Sequence, residues 1–518
     1  MIFSFNTPTK AEKLLRREIT TKYGNIVLLS TIIILALLML RIVISNYLPR
    51  VLRRPVPLWF TMTACTVGLV ILSFLETHDD YLYLTKRFGR VATATLPGLL
   101  FLSLKPSPIP RESYLRLLPF HIWLGRILIA FATAHGILYV NYYFQISNLK
   151  KILQFDNFLG VILLSAFLLT FVVSFHFIRS RNHELFFRTH YLFTWVTVIL
   201  VAIHARPRIY LIATILLILL GGQLCYRYGY GKIFRPRVNQ ISPTTQMVTL
   251  PRSLFPKYFP PGAHVRLSPV SGWSRFWWFA ASHPYTIANL ASDEEGVRLI
   301  VKPTLRFRIS DEYEYMVNGP FASLGYDFFM NMYKNDHRRM TVVVTGGVGI
   351  SFAVPIVTTL RKMNEQVKLL WAIRSLDDLL LLEIFNLTDV DVFFTKGESP
   401  DIDEEFTFDS GDVSDGESTT KGGVPLTYAD ASVGSSLITD QDMEFAGDKA
   451  FVQERNIRIN KKRLNIESEL KEYRKTVDNV DGGCGMWLIC CGSRSLVGEC
   501  SKWGRKLGAT VHEELYDI

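Results

Sequence analysis

The chain has 518 residues, of which 49% are hydrophobic and only 20% are charged. Soluble domains usually carry about a quarter charged residues, and here the long uncharged runs are concentrated between residues 25 and 226. This distribution excludes a wholly soluble enzyme, a disordered protein and a nucleic-acid-binding domain, although the formal net charge is +11. In a membrane protein, an excess of lysine and arginine is more typical of cytoplasmic flanks.

Seven apolar runs are long enough, or nearly so, to cross a membrane as helices. A hydrocarbon core about 30 Å thick requires roughly 20 residues in an α-helix. The third run is the weakest because it is short and contains Arg90 and Pro97. The pattern predicts a multi-pass helical membrane domain with six or seven spans. The runs cover residues 25–45, 58–75, 88–104, 117–140, 158–178, 186–204 and 208–226.

Clusters of basic residues predict which ends of the spans face the cytoplasm. Arg179, Arg181 and Arg188 lie in one short connection, and more basic residues follow the last span within 227–237. The positive-inside bias places both groups on the cytoplasmic side. With seven spans, the basic segment 10–22 would lie on the opposite side, so the number of spans stays open between six and seven.

Four histidines repeat one spacing on two of the predicted spans. His121 and His135 are 14 residues apart, and so are His190 and His204. In an α-helix 14 residues make just under four turns and rise about 21 Å, so each pair projects from nearly one face. One span separates the two helices, which therefore run parallel. His121 can then face His190 near one side of the membrane, and His135 can face His204 near the other.

Two stacked bis-histidine sites suit two b-type haems, because neutral imidazole is an axial ligand of haem iron. The alternative for each histidine is an interfacial or core residue hydrogen-bonded to a backbone carbonyl. His176 and His183 have no partner at the matching spacing, so we expect both to be interfacial. His78 is expected in a solvated external loop.

A family resemblance is carried by three stretches: RFGRVATATLPGLLFLSL, LPFHIWLGRILIAFATAHGILY and RTHYLFTWVTVILVAIH. They resemble the transmembrane domain of ferric reductases, which is shared with NADPH oxidases. This resemblance implies electron transfer from NADPH through FAD and two haems to an acceptor across the membrane. It covers roughly residues 85–395 and 455–518, and the second stretch looks more like fungal ferric reductases than like oxidases.

From about residue 234 the sequence changes to short β-type runs with Pro and Gly punctuation, as in a small antiparallel barrel. The run FPPGAHVRL resembles the PG-containing strand of ferredoxin-reductase-type flavin domains, and HPYT resembles the family's flavin motif. By this resemblance Tyr285 stacks on the isoalloxazine, Thr286 hydrogen-bonds to it, and His283 lies near the diphosphate. An ordinary strand and turn is the alternative for HPYT taken alone. The flavin-site candidates are His283, Pro284, Tyr285, Thr286, Lys302 and, within NGPF, Gly319.

The segment MTVVVTGGVGISFAVPIVTTL predicts a buried strand, a glycine turn and a helix. Gly346, Gly347 and Gly349 would let the backbone approach a phosphate at the helix N-terminus. They resemble the family's GGxGITP nucleotide motif, with the proline displaced to Pro355. Arg374 ends the next predicted strand, where a guanidinium could meet the 2′-phosphate of NADPH. A surface arginine is the alternative.

The stretch MWLICCGSRSLVGEC resembles the family's strand that ends in CGP. The resemblance places Cys491 and Gly492 near the nicotinamide and the flavin, with Cys491 and Thr286 as the catalytic candidates, whereas Cys490 is expected to pack in the core. Tyr516 is a candidate for the aromatic residue that covers the flavin in many family members.

Residues 397–450 are acidic, rich in serine and glycine and poor in apolar residues. Such a composition predicts a disordered insertion. We expect this segment to be solvated; binding of a regulatory partner is the alternative.

These features predict a helical haem-binding membrane domain followed by a ferredoxin-reductase-like module, made of an antiparallel FAD barrel and an α/β NADPH domain. The expected function is reduction of ferric or cupric ions in iron and copper homeostasis. A superoxide-producing NADPH oxidase and a non-catalytic scaffold are the alternatives. The expected partners are membrane lipid and either metal chelates or oxygen, in the plasma membrane or the endoplasmic reticulum, with the module cytoplasmic. The expected domains are 1–84 (N-terminal region), 85–227 (haem-binding), 234–340 (FAD), 341–396 with 451–518 (NADPH) and 397–450 (insertion).

Overall fold

The structure is a computed structural model. Its described residues form a helical bundle, an antiparallel β-barrel and a parallel α/β sheet. The predicted helical domain followed by a ferredoxin-reductase-like module is therefore confirmed, whereas the six or seven spans and the two haems stay predictions. The insertion 397–450, His78 and Tyr516 lie outside the described residues. The described residues are 5, 9–44, 58–77, 80–109, 114–205, 209–270, 282–303, 308–322, 340–394, 455–480 and 486–515.

Each of the seven predicted apolar runs lies on a long helix of the bundle. Five of these helices are long and apolar enough to cross a membrane; α2 is shorter, and α3 carries three basic residues. The helices are α1 (Lys10–Ile44), α2 (Leu58–Phe74), α3 (Tyr81–Phe101), α4 (Tyr114–Gln145), α5 (Phe155–Val173), the short α6 (His176–Arg181), α7 (His183–His204) and α8 (Tyr210–Tyr230).

The first helix begins 15 residues before the predicted run, because its N-terminus is capped and two of its basic residues, Arg16 and Lys22, form ion pairs. Thr9 N–H donates to Glu12 Oε2 at 2.7 Å, and Glu12 N–H donates back to Thr9 Oγ1 at 3.3 Å. This reciprocal arrangement is a capping box. Arg16 forms an ion pair with Asp80, which lies just before α3. The polar first half of α1 therefore lies at the end of the bundle where α3 begins.

The third helix, weak by hydropathy, is central to the bundle because its charges are satisfied inside the protein. It packs against α1, α2, α4 and α8. Arg87 is fully buried; its guanidinium lies 3.8 Å from the Tyr23 ring centroid and donates to Tyr83 Oη at 2.8 Å and to the Leu72 carbonyl at 3.2 Å. Such internal partners are how charged residues are accommodated in membrane helices.

Two antiparallel sheets make up the barrel. Their strand orders are β1-β7-β4-β5 and β2-β3-β6, and an isolated bridge between Ile287 and Leu299 joins them. Inward-facing residues such as Val248, Val265 and Leu267 are fully buried between the sheets. The strands are β1 (Lys232–Phe234), β2 (Arg237–Ser242), β3 (Thr245–Leu250), β4 (His264–Val270), β5 (His283–Thr286), β6 (Val297–Val301) and β7 (Glu314–Phe321).

The C-terminal domain is a six-stranded parallel sheet in the order β11-β10-β9-β8-β12-β13. The chain moves outward from β8 to β11 and then returns to β12 on the other side of β8. The switch point therefore lies between β8 and β12, where open α/β sheets bind ligands. The elements are β8 (Met340–Gly346), α9 (Ile350–Lys362), β9 (Gln366–Ile373), α10 (Leu380–Ile384), β10 (Val390–Phe394), β11 (Ile457–Asn460), α11 (Ile466–Val480), β12 (Met486–Gly492), α12 (Arg494–Lys506) and β13 (Thr510–Leu515).

The barrel lies at one end of the bundle. Helix α8 ends at Tyr230 and β1 begins at Lys232. Tyr114, the first residue of α4, is hydrogen-bonded through its hydroxyl to His264 Nε2 of β4 at 3.1 Å. The rings of His183, which begins α7, and His283, which begins β5, are 6.1 Å apart. We call this end of the bundle the inner end and the opposite end the outer end.

Candidate haem, flavin and nucleotide sites

The four spaced histidines form two pairs, one above the other, between α4 and α7. The ring centroids of His121 and His190 are 6.2 Å apart near the inner end. Those of His135 and His204 are 6.3 Å apart near the outer end. Helix α4 packs against α3 and α5, and α7 packs against α5 and α8. The histidine rings therefore face each other across the space between α4 and α7.

Backbone carbonyls orient three of the four rings. His121 Nδ1 lies 2.9 Å from the Leu99 carbonyl, His135 Nδ1 2.7 Å from that of Thr85, and His204 Nδ1 2.7 Å from that of Asp156. A carbonyl oxygen can only accept, so each Nδ1 carries the proton and leaves the Nε2 lone pair for a metal. Protein histidine ligands are commonly held in this way. The Nδ1 of His190 is buried and has no hydrogen-bond partner among the described residues.

Two glycines make room for the outer rings. A Cβ atom at Gly89 of α3 would lie 2.7 Å from His135 Cε1 and Nδ1, and one at Gly160 of α5 would lie 2.6 Å from His204 Cε1. Each glycine comes four residues after the carbonyl that its histidine contacts, at Thr85 and Asp156 respectively. Without a side chain one turn later, that carbonyl is open to the imidazole.

The separation of the rings fits an iron held by two imidazoles. A metal–imidazole bond is about 2.0 Å, and the ring centroid lies about 1.1 Å behind the nitrogen, so two opposed ligands place their centroids about 6.2 Å apart. The observed 6.2 and 6.3 Å agree with this value. His176 lies on α6 outside this arrangement, and His183 faces His283 of the barrel.

The flavin candidates lie on β5, which runs antiparallel to β4. Thr286 is opposite His264, and Tyr285 is opposite Val265. Because successive residues of a strand point to opposite faces, Tyr285 packs towards the barrel core whereas buried Thr286 shares a face with His264. Burial raises the pKa of Tyr285. Pro284, which precedes Tyr285, is exposed.

The remaining flavin candidates differ in how close they come to β5. Burial, with His183 and Arg266 nearby, lowers the pKa of His283 to about 4, so at neutral pH this ring offers a hydrogen bond rather than a charge. Gly319 has a φ of +120°, and a Cβ there would lie 3.1 Å from the His264 carbonyl. Lys302 is exposed beyond β6 and, among the described residues, has no hydrogen bond or ion pair to β5.

The nucleotide candidates converge at the switch point of the parallel sheet. Gly347 has a φ of +51°, and a Cβ there would meet nothing within 4 Å, so the turn leaves open space. A Cβ at Gly349 would lie 3.0 Å from the Cys491 carbonyl, and one at Gly492 would lie 3.5 Å from the nitrogen of Gly346. The glycine turn and the Cys-Gly end of β12 are thus adjacent, as a shared nucleotide site requires.

Arg374 is exposed immediately after β9, the strand next to β8. An exposed side chain at this position is compatible both with binding the 2′-phosphate of NADPH and with an ordinary surface arginine. Cys491 and Cys490 are both fully buried, on opposite faces of the sheet. Burial and the Cys500 thiol raise the pKa of Cys490, the Cys500 hydrogen bond having the larger effect, in keeping with a packing residue.

Sequence reasoning missed the residues that hold the candidates in place. No sequence motif distinguishes Gly89 and Gly160 from other glycines. Once the histidines are paired, however, a glycine four residues after the carbonyl that binds a ring could identify these positions. Trp371 was also missed: its indole N–H donates to the Gly347 carbonyl at 3.0 Å and fixes the glycine turn from β9.

Comparison with known proteins agrees with this geometry. Residues 88–201 match the family model described as ferric reductase like transmembrane component, and residues 339–503 match the ferric reductase NAD binding domain. The chain is 36% identical to a probable metalloreductase AIM14 of Yarrowia lipolytica, covering 68% of this chain and 67% of that protein. It is 31% identical to a probable metalloreductase AIM14 of Scheffersomyces stipitis, covering 89% of this chain and 87% of that protein.

Among solved structures, a flavohemoglobin from Malassezia yamatoensis matches at 12% identity with a TM-score of 0.34, over 83% of this chain and 98% of that one. The first matched range contains His121, His135 and His190 and ends three residues before His204, and the second contains the switch-point glycines. The architecture is an integral membrane helical domain joined to an NAD(P)H-dependent oxidoreductase module. The chain belongs to the ferric reductase family, together with the yeast probable metalloreductases.

Proposed function

We propose that this protein is a transmembrane metalloreductase that serves iron and copper homeostasis. It takes electrons from NADPH on the cytoplasmic side and delivers them to chelated Fe³⁺ or Cu²⁺ on the other side. The observation that carries the proposal is the pair of histidine sites, whose ring separations of 6.2 and 6.3 Å both fit a bis-imidazole iron. Two such sites, one at each end of a membrane bundle, are suited to electron transfer across it.

The order of the sites along the molecule supports this direction. The nucleotide turn lies in the parallel sheet, β5 of the barrel lies against the inner end of the bundle, and the inner and outer histidine pairs follow. When bound, FAD exchanges a hydride for single electrons and the haems carry those electrons through the membrane. The basic residues after α8 fit a cytoplasmic module by the positive-inside bias, in the plasma membrane or the endoplasmic reticulum.

The residues of the module have distinct proposed roles. The turn at Gly347 admits the diphosphate of NADPH, and Arg374 binds its 2′-phosphate. Tyr285 would stack on the isoalloxazine and Thr286 would hydrogen-bond to it. Buried Cys491 would lie near the nicotinamide and the flavin. What supports the proposal is that the ends of β8 and β12 meet at the switch point and that Thr286 lies on the face of β5 that His264 shares.

In this proposal His135 and His204 would together hold the outer haem. A haem held by two imidazoles would supply outer-sphere electron transfer to an acceptor that is not bound by the iron. Outer-sphere transfer of this kind suits chelated Fe³⁺, Cu²⁺ and O₂ alike. The metal chelate is our proposal because the relatives that match over most of the chain are named probable metalloreductases.

The ligand assignment is tested by replacing each paired histidine. His121→Ala, His135→Ala, His190→Ala and His204→Ala should each remove one bis-histidine haem, seen as loss of about half of the reduced-minus-oxidised b-type spectrum. His176→Ala is the matched control, because its ring lies on α6 outside both pairs. Equal spectra for all five variants would refute the assignment.

The acceptor is tested separately in sealed membranes supplied with NADPH. Ferric-chelate reduction should continue without oxygen and with superoxide dismutase present. Reduction that stops under either condition would identify superoxide as the product and favour the oxidase. Absence of both haem and NADPH-driven reduction would favour the scaffold.

A further inference from the structure

A cluster of cations lies where the inner end of the bundle meets the barrel. Lys105, in the segment after α3, places its ammonium 5.2 Å from the centroid of the Tyr114 ring. Arg266 of β4 donates to Tyr114 Oη at 3.1 Å, and Arg227 of α8 donates to Ser268 Oγ at 3.3 Å. The segment after α3, strand β4 and helix α8 thus each bring one cation to this interface.

The backbone of Lys105 is held firmly in this place. Its N–H donates to Gln223 Oε1 at 2.7 Å, and Gln223 Nε2 donates back to its carbonyl at 2.8 Å. Six residues earlier, the Leu99 carbonyl accepts from the inner histidine His121. Lys105 is therefore fixed between the inner histidine pair and the flavin strand.

Two cations of this cluster, Lys105 and Arg266, form no ion pair with another described residue. Among those residues, Arg266 donates to the neutral oxygens of Tyr114 and Ser282. Burial, then Arg266 and Arg227, lowers the pKa of Lys105. Burial, then Arg266 and Lys105, lowers the pKa of His264 to about 3.

Tyr114 links Arg266 to His264. Arg266 donates to the Tyr114 oxygen at 3.1 Å, and the Tyr114 hydroxyl is hydrogen-bonded to His264 Nε2 at 3.1 Å, with the donor set by the tautomer of His264. Nearby, the buried His183 Nδ1 has no hydrogen-bond partner among the described residues. The interface therefore presents half-buried cations and a possible N–H donor, and an anion beside such cations is favourable because they are partly withdrawn from water.

We propose that Lys105 and Arg266 form an oxyanion site for a dianionic group of a resident cofactor. Two sources have this chemistry at this depth: the propionates of the inner haem and the diphosphate of FAD. The inference rests on the proposed function, because it takes both cofactors as bound. The site would neutralise cofactor charge at the junction that electrons cross, and it would tie the barrel to the bundle.

The test compares Lys105→Gln with Lys105→Arg, which keeps the charge, and with Lys150→Gln, which removes a lysine from the exposed segment between α4 and α5. If the group is a propionate, Lys105→Gln should make reduction of the inner haem at least tenfold less favourable in an equilibrium titration, which is 59 mV for one electron. This shift should vanish when the protein is reconstituted with haem whose propionates are methyl esters.

If the group is the diphosphate, Lys105→Gln should weaken FAD binding at least tenfold and leave riboflavin, which has no phosphate, unaffected. Lys105→Arg and Lys150→Gln should change neither the inner-haem potential nor the affinity for FAD. An unchanged inner-haem potential together with unchanged FAD affinity would overturn the proposal, as would a potential shift that persists with esterified haem while FAD affinity is unchanged. Metal reduction by the unmodified protein in the same preparation tests the proposed function independently.

Discussion

Replacing Gly160 by alanine tests whether the outer histidine pair is built around a missing side chain. The new Cβ would lie 2.6 Å from His204 Cε1 and 3.2 Å from its Nε2. Carbon atoms in contact are about 3.5–4.0 Å apart, so the ring would have to move by about 1 Å. Binding geometries tolerate only about 0.5 Å. The displacement would also stretch the 2.7 Å hydrogen bond to the Asp156 carbonyl.

The expected result is loss of the outer haem with retention of the inner one. Haem content per flavin should fall to about half, with one of two midpoint potentials missing. Gly222→Ala is the matched control, since its Cβ on α8 would meet nothing within 4 Å. Alanine favours a helix over glycine by about 0.5–1 kcal/mol, so neither variant should be lost to a weaker helix. Full haem content with unchanged potentials in Gly160→Ala would refute the reasoning.

Three further predictions concern the module. Gly347→Val should abolish NADPH binding, measured by flavin reduction. The φ of +51° at this position strains a branched residue, and the new side chain would fill the open space at the turn. Gly498→Val, on the exposed face of α12, is the control. Arg374→Ala should raise the KM for NADPH at least tenfold more than that for NADH, and an unchanged ratio would leave it a surface arginine. Deleting residues 400–445 with a Gly/Ser bridge should preserve NADPH-driven haem reduction; loss in a folded protein would assign the insertion to the site.

The paired histidines could be predicted from sequence because helical geometry carries a spacing of 14 residues along one face. Their partners could not. The carbonyls of Thr85 and Asp156 and the glycine one turn after each depend on how α3 and α5 pack beside the histidine helices. The periodicity of one sequence gives no information on how these helices pack against one another.

The same limit explains the errors at the ends of the spans. The first helix extends back to Lys10 because capping and an Arg16–Asp80 ion pair satisfy its polar turns. The third helix tolerates Arg87 because Tyr23, Tyr83 and the Leu72 carbonyl surround the guanidinium. Hydropathy counts these residues as unfavourable, whereas the folded bundle supplies their partners from other helices.

Gly89 and Gly160, which make room for the outer histidine rings, bear on the choice between an electron-transfer protein and a scaffold. A scaffold needs helices that pack, and alanine at positions 89 and 160 would favour both helices. Glycine instead opens the Thr85 and Asp156 carbonyls to two imidazoles whose Nε2 atoms are left free to bind a metal. The rings so placed are 6.3 Å apart, a separation that packing alone does not require and that a bis-histidine iron does. The geometry of the outer pair therefore supports the proposed haem site over the scaffold alternative.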